Sequence, residues 1–135
     1  MPAPAHTVAV VNADARGEQV ASLRAGLMRL ANTPCIGAFV WPVDHPFVTL
    51  ETLLAVLDAA QRTGAPIVRP EYGTTDGVTH GHPVFFHRDT WRELMTVPEG
   101  GARAVVHAYG ARAISVPVRD AGVARNIDTR ADLAG

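Results

Sequence analysis

Short runs of β-branched and apolar residues alternate with amphipathic stretches of helical length, and this alternation constrains the fold more than any other feature of the chain. Thr7-Val8-Ala9-Val10-Val11 reads as a buried strand ending at Asn12. From Gly17 to Ala31, the residues Val20, Leu23, Leu27, Met28 and Ala31 share one helical face, Arg24 and Arg29 lie off it, and Asn32-Thr33-Pro34 closes the helix. Ile36-Gly37-Ala38-Phe39-Val40-Trp41 is a second apolar strand. Thr49 then caps a helix with Glu51 in its first turn, an apolar stripe of Leu50, Leu53, Leu54, Leu57 and Ala60, and Gly64 with Pro66 at its end. Pro66-Ile67-Val68-Arg69-Pro70 is a short strand, residues 71–81 form a polar, Gly/Thr-rich loop, and Pro83-Val84-Phe85-Phe86 begins another strand. Two short helices are expected over 89–95 and 102–109, a late strand at Ile114-Ser115-Val116-Pro117-Val118, then an extended stretch from Val123 to Asp128 and a final turn capped by Thr129.

Strands separated by helices of this length imply βαβ units, hence an α/β domain with a mainly parallel sheet and helices on both faces. Ligands of such folds bind at the C-terminal edges of the strands. Residues 1–6 read as a loose Pro/Ala-rich lead, and 7–135 as a single domain.

The 135 residues are enough for one core, and 47% hydrophobic against 19% charged residues is the balance of a folded chain rather than a disordered one. A formal charge of −1 with no basic or acidic block argues against nucleic-acid or membrane-surface partners. All 12 basic residues are arginine, so no lysine of this chain can hold a triphosphate or act as a base. Cys35 is the sole cysteine and excludes an intrachain disulfide; with neither a basic start nor an apolar signal core, the expected location is the cytoplasm.

Two carboxylates stand out. Asp44 follows an apolar strand directly and lies between Pro42 and Pro46, which stiffen the backbone where a metal ligand would project; the same residue could equally tether the loop before the next helix. Asp128, in Arg125-Asn126-Ile127-Asp128-Thr129, again follows an extended segment and precedes a helix start, where capping is the plainer role. Together the two could converge on one Mg²⁺, which takes its remaining ligands from water and substrate phosphates. Gly26, inside Ser22-Leu23-Arg24-Ala25-Gly26, costs its helix about 1 kcal/mol relative to alanine, which suggests close approach by a nucleotide or by a neighbouring helix. His80-Gly81-His82-Pro83 offers two histidines without a third ligand, so contact with an acceptor substrate suits it better than zinc, with Gly81 letting the backbone approach and His82 offering a donor.

Taken in order, Gly17…Ser22-Leu23-Arg24-Ala25-Gly26, Val43-Asp44-His45-Pro46, Gly81-His82-Pro83-Val84, Gly101-Ala102-Arg103 and Asn126-Ile127-Asp128-Thr129 resemble the MobA-like NTP transferases, and within them the molybdenum-cofactor cytidylyltransferase branch. The resemblance implies a three-layer Rossmann-like nucleotidyltransferase fold. It also implies Asp44 and Asp128 as catalytic Mg²⁺ ligands, Ser22, Leu23, Arg24 and Gly26 beside the nucleotide, and Gly81, His82 and Pro83 facing the acceptor. The implied reaction moves a nucleotidyl group from an NTP, CTP or GTP, to a small phosphate-bearing acceptor such as molybdopterin, releasing pyrophosphate.

One departure is large. Members of the family open with a strand and a glycine-rich loop followed by a lysine, and nothing in this sequence matches that loop, which supplies the backbone N–H groups that cradle a triphosphate. The expectation is therefore a domain incomplete at its N-terminus, its sheet to be completed by a second copy or another chain. The competing expectation is a noncatalytic nucleotide-binding or assembly module that keeps the fold without turnover.

Overall fold

The computed structural model describes residues 19–42, 44–97 and 101–125, without the side chains of residues 19 and 20. In chain order the elements are α1 (Gln19–Leu30), β1 (Gly37–Val40), α2 (Leu50–Thr63), β2 (Ile67–Thr74), β3 (Gly77–His80), β4 (Val84–His87), α3 (Trp91–Thr96), α4 (Gly101–Tyr109) and β5 (Ala113–Val118), with short 3₁₀ turns at Arg88–Thr90, Gly110–Arg112 and Ala121–Ala124. The expected strand at 7–11 and the residues around Asp128 lie outside the described part. No helix among the described residues is long and apolar enough to cross a membrane.

The sheet runs β1-β4-β2-β5. β2 is parallel to β5, while β4 is antiparallel to both β1 and β2. Strands β1, β2 and β5 therefore share one direction, as the βαβ pattern requires, and β4 is a reversed strand inserted between two of them. The sheet is thus mixed rather than uniformly parallel. A second difference concerns residues 71–81, expected as a loop. They continue β2 to Thr74 and return as β3, whose Gly77 (φ 128°) makes the turn. β3 and β4 lie in tandem along one edge of β2, with Gly81 still donating its N–H to the Pro70 carbonyl at 3.0 Å. The run Glu71, Tyr72, Gly73, Thr74 is too polar to signal a strand because this hairpin stands clear of the core.

The two faces of the sheet are read directly from register. Ala38, Phe86, Ile67 and Ala113 are neighbours across four strands and face α1, α3 and α4, meeting Leu27, Trp91, Leu94 and Val105. One residue along, Phe39, Phe85, Val68 and Ile114 form the row on the opposite face, packed on Val56, Ala59 and Ala60 of α2. This is a three-layer α/β fold. Helix α2 begins and ends where the sequence indicates: Thr49 Oγ1 accepts from the Thr52 N–H, and Gly64 closes the helix at φ 67°. Its buried stripe differs, being Thr52, Val56, Ala59 and Ala60, whereas Leu50 (69% exposed) and Leu54 (52%) face outward. Small residues let this helix sit close to Phe85, and the bulkier leucines are turned away from that contact. On α1, Leu27 is buried but Met28 is 62% exposed. Arg88 binds the end of α1 to β1, donating to the carbonyls of Ala31, Thr33 and Cys35 while lying over the Trp91 ring.

Candidate active site

Because β1, β2 and β5 share a direction, their C-terminal ends emerge on one edge, and the antiparallel β4 begins there. Four segments meet at this edge: the turn after β1, the β2–β3 hairpin, Gly81-His82-Pro83, and the 3₁₀ turn after β5.

The turn after β1 presents Asp44. Its closure is local: the His45 N–H donates to the Pro42 carbonyl at 3.1 Å, and the Trp41 indole donates to the His45 carbonyl at 2.7 Å. The Asp44 side chain is 40% exposed, and its Oδ1 lies 2.8 Å from Nδ1 of His45, which is only 15% exposed. The His45 ring in turn meets the His82 ring edge-on, with centroids 4.5 Å apart. Burial, reinforced by His45 and opposed by the Asp44 charge, pushes His82 below the ordinary histidine range, so at neutral pH it is an uncharged imidazole. Its Nδ1 is buried without a hydrogen-bond partner among the described residues. His80, by contrast, turns to Glu71 at 3.3 Å. The two histidines of His80-Gly81-His82 therefore serve different neighbours, and no group of three or more His, Cys, Asp or Glu side chains that could hold a metal occurs among the described residues.

The turn after β5 is fastened to both of the other loops. Asp120 accepts hydrogen bonds from the Thr49 N–H (2.8 Å), the Thr52 hydroxyl (2.8 Å) and the Gly122 N–H (3.0 Å). Burial alone would raise its carboxyl, but these donors outweigh it and hold the group below the usual carboxylate range. The His82 N–H donates to the Val123 carbonyl at 2.8 Å. The contacts are close enough to require glycine: a Cβ on Gly81 would overlap the Val123 carbonyl, and one on Gly122 the Phe47 carbonyl. Arg125 lies over the Phe47 ring at 4.1 Å. The chain that leads to Asp128 is thus locked against the Asp44 loop up to Arg125. Asp128 itself lies outside the described residues.

Beneath these loops, on the α1 and α4 face of the sheet, is a cavity of about 1010 Å³, roomy enough for a nucleotide-sized ligand. Asp44, His45, Gly81 and His82 line it from the loops, Leu23 from α1 and Arg103 from α4. A smaller cavity of about 280 Å³ adjoins it through Leu23, Val40 and Pro42 and is lined by Ser22 and Gly26. Among the described residues nothing outside its own helix backbone lies within 4 Å of a Cβ built on Gly26, so no helix packing described there accounts for that glycine. Arg24 lines neither cavity; its guanidinium donates to the Val97 carbonyl and braces α1 against the end of α3. Pro83 is fully buried and also lies outside the cavity lining. The extended stretch expected from Val123 is instead a 3₁₀ turn through Ala124, tightened by the Asp120 side chain.

Sequence reasoning did not single out Asp120, Arg69 or the His45–His82 contact. Asp120-Ala121-Gly122 carries the signature of an aspartate bonding its own backbone two residues on, and Arg69 breaks an apolar strand run; both signals were available.

A sequence comparison decides the family: the MobA-like NTP transferase domain matches residues 2–113 of the 135. The chain belongs to this family. It is thereby a domain of the nucleotidyltransferase family with a Rossmann-like fold. Among solved structures, Rv0371c from Mycobacterium tuberculosis H37Rv is similar at 29% identity with a TM-score of 0.64, over 87% of this chain and 58% of that one. Rv0371C in complex with manganese matches at 28% identity and a TM-score of 0.61, over 84% of this chain and 58% of that one. The 2-C-methyl-D-erythritol 4-phosphate cytidylyltransferase from Thermus thermophilus shares the fold at 20% identity and a TM-score of 0.59, over 82% of this chain and 65% of that one. The chain thus spans a little over half the length of the Rv0371c structure. No functionally curated protein matches it in sequence.

Proposed function

We propose that this domain forms the metal- and acceptor-binding side of a Mg²⁺-dependent nucleotidyltransferase that moves a nucleotidyl group from CTP or GTP to a small phosphate-bearing acceptor such as molybdopterin, with release of pyrophosphate. The observation that carries the reading is the interlock at the cavity mouth. Asp44 stands there on one loop, and the turn after β5, pinned to that loop by Asp120, Gly122 and Arg125, leads to Asp128 only three residues beyond Arg125, a span of at most about 10 Å.

A pair of carboxylates suits Mg²⁺, an ion that binds through one or two carboxylates and completes its shell with water and substrate phosphates. Asp44 and Asp128 would hold the ion, whose charge, when bound, offsets that developing on the α-phosphate. Ser22, Leu23 and Gly26 receive the nucleoside, where the open face of Gly26 admits a ring. Arg24 serves this side by holding α1 in place. Gly81 and His82 face the acceptor, Pro83 fixes their backbone, and the uncharged His82 is suited to accept a hydrogen bond or proton from an attacking acceptor.

Calorimetric titration with CTP and with GTP, each with and without Mg²⁺, tests the reading. Metal-dependent binding of one nucleotide, lost in Asp44→Asn, is the expected result. Metal-independent binding, or binding unchanged by Asp44→Asn, would contradict it, and no binding at all would favour a noncatalytic module.

A further inference from the structure

The row of side chains next to the apolar core contains a charge. Two residues beyond the row Ala38–Phe86–Ile67–Ala113, on the same face of the sheet, Val40 pairs with Val84 and Arg69 with Ser115, and continuing the β2–β4 register sets the two pairs side by side. Ile67 and Val68 immediately before Arg69 are both fully buried, so β2 carries this guanidinium directly from the core into the floor of the cavity. The Arg69 side chain is half-buried and makes no hydrogen bond or ion pair among the described residues, where its Nε is buried without a partner. The nearest acid on its own strand face, Glu71, is engaged by His80. Three buried side-chain nitrogens lack partners among the described residues, those of Arg24, Arg69 and His82, and the last two both belong to cavity-lining side chains. Across the cavity, α4 contributes Arg103, exposed at the wall, with His107 one turn further on. An arginine placed in a core-facing row and left unpaired is expensive unless something anionic completes it. Guanidinium groups meet phosphate oxygens in two-point contacts, which a second arginine facing the first extends.

We infer that Arg69 and Arg103 form an anion subsite at the base of the cavity that takes the phosphomonoester group of the acceptor. The inference rests on the transferase reading above only for calling that ligand the acceptor; the subsite itself follows from the cavity and from an arginine without a side-chain partner among the described residues. A phosphate held there keeps an oxygen free to attack the nucleotide α-phosphate beside Asp44, which lines the same cavity, with pyrophosphate as the leaving group. The same chemistry could come from the phosphates of the nucleotide, and the experiment separates the two sources.

The test uses the full chain with glycerol 3-phosphate as probe, followed by calorimetry or by chemical-shift changes, alongside Mn²⁺-dependent CTP and GTP binding. Arg69→Met should weaken glycerol phosphate binding by about tenfold or more, the loss of a charge-assisted pair, and Arg69→Lys should restore part of it. Arg103→Ala, at an exposed site that does not threaten folding, should weaken it by roughly threefold to tenfold and serves as the decisive variant if Arg69→Met does not fold. Nucleotide binding should change by less than about twofold in all three. Glycerol phosphate binding that is absent from the parent chain, or indifferent to Arg103→Ala and Arg69→Met, would overturn the subsite. An equal loss of nucleotide binding would overturn its assignment to the acceptor. Arginine-dependent phosphate binding in a chain that binds no nucleotide would instead leave the subsite standing and remove the transferase reading.

Discussion

Removing the Asp120 carboxylate should do more damage than its half-buried position suggests, because three donors converge on it from two loops. In Asp120→Ala the Thr49 N–H, being exposed, regains water, but the Thr52 hydroxyl and the Gly122 N–H are buried. Each buried donor left unsatisfied costs about 1–3 kcal/mol, and partial access of water to the vacated space places the sum nearer the lower end, at roughly 2–4 kcal/mol. For a 135-residue chain, at about 3–4 °C per kcal/mol, the melting temperature should fall by roughly 6–16 °C. Asp120→Asn should lose only about 1 kcal/mol. Its remaining oxygen can take the Oδ2 position that serves Thr49 and Thr52, so that only the Gly122 bond is lost. The pH dependence has a definite sign. The folded carboxyl is held below its unfolded value, so its contribution is fully present above the unfolded pKa, about 3.9, and disappears as pH falls through the folded value. The Asp120-dependent stability should therefore be constant from neutral pH down to about 4.5 and shrink below it, whereas Asp120→Asn should lack this acid-side loss. Thermal melts of the three proteins between pH 3 and 7 measure both effects. A melting temperature for Asp120→Ala within about 2 °C of the parent, or an acid limb preserved in Asp120→Asn, would refute the view that this carboxylate holds the two loops together.

Further outcomes follow from the same geometry. Gly26→Ala should raise stability by about 0.5–1 kcal/mol, since the new methyl meets open space in a helix, while weakening nucleotide binding. Gly81→Ala and Gly122→Ala should each cost about 1–3 kcal/mol by forcing a carbonyl away, and calorimetry with melts distinguishes the two cases. Asp44→Asn should shift stability by less than about 1 kcal/mol, because its pairing among the described residues is a partly exposed contact with His45, so abolished metal-dependent binding in a normally melting protein would mark a functional rather than structural carboxylate. Ile67→Ala, at a completely buried position in the row that faces α1, α3 and α4, should cost about 2–5 kcal/mol in urea denaturation.

The sequence pattern is most informative where burial and local chemistry agree. Ile67-Val68 and Val84-Phe85-Phe86 are apolar on both sides because both faces of the sheet are covered, and Thr49 and Gly64 mark the ends of α2 through bonds that reach only a few residues. Direction is less legible: nothing in Val84-Phe85-Phe86 distinguishes a parallel strand from the reversed one that it is, because that choice is made by the connections. The buried face of α2 departs from the leucine stripe because the close approach to Phe85 selects Val56, Ala59 and Ala60 over bulkier side chains. In the site, Asp44 and the Gly81–His82 backbone could be located from their positions beside strand ends. Asp120 and Arg69 could not be assigned partners, since Asp120 reaches back to Thr49 and Thr52 and Arg69, although it interrupts an apolar run, is placed on the cavity side only by the register.

The claim on which the functional account depends is that Asp44 and Asp128 share one metal ion at the cavity mouth. Crystals of the chain grown with Mn²⁺ in place of Mg²⁺ and a non-hydrolysable CTP or GTP analogue would locate the ion by its anomalous signal. The account predicts a single ion with one oxygen of each carboxylate at about 2.1 Å, or a little more for Mn²⁺, and the remaining ligands drawn from phosphate and water. Carboxyl groups more than about 10 Å apart, too far for any one ion to bridge at such bond lengths, would contradict it.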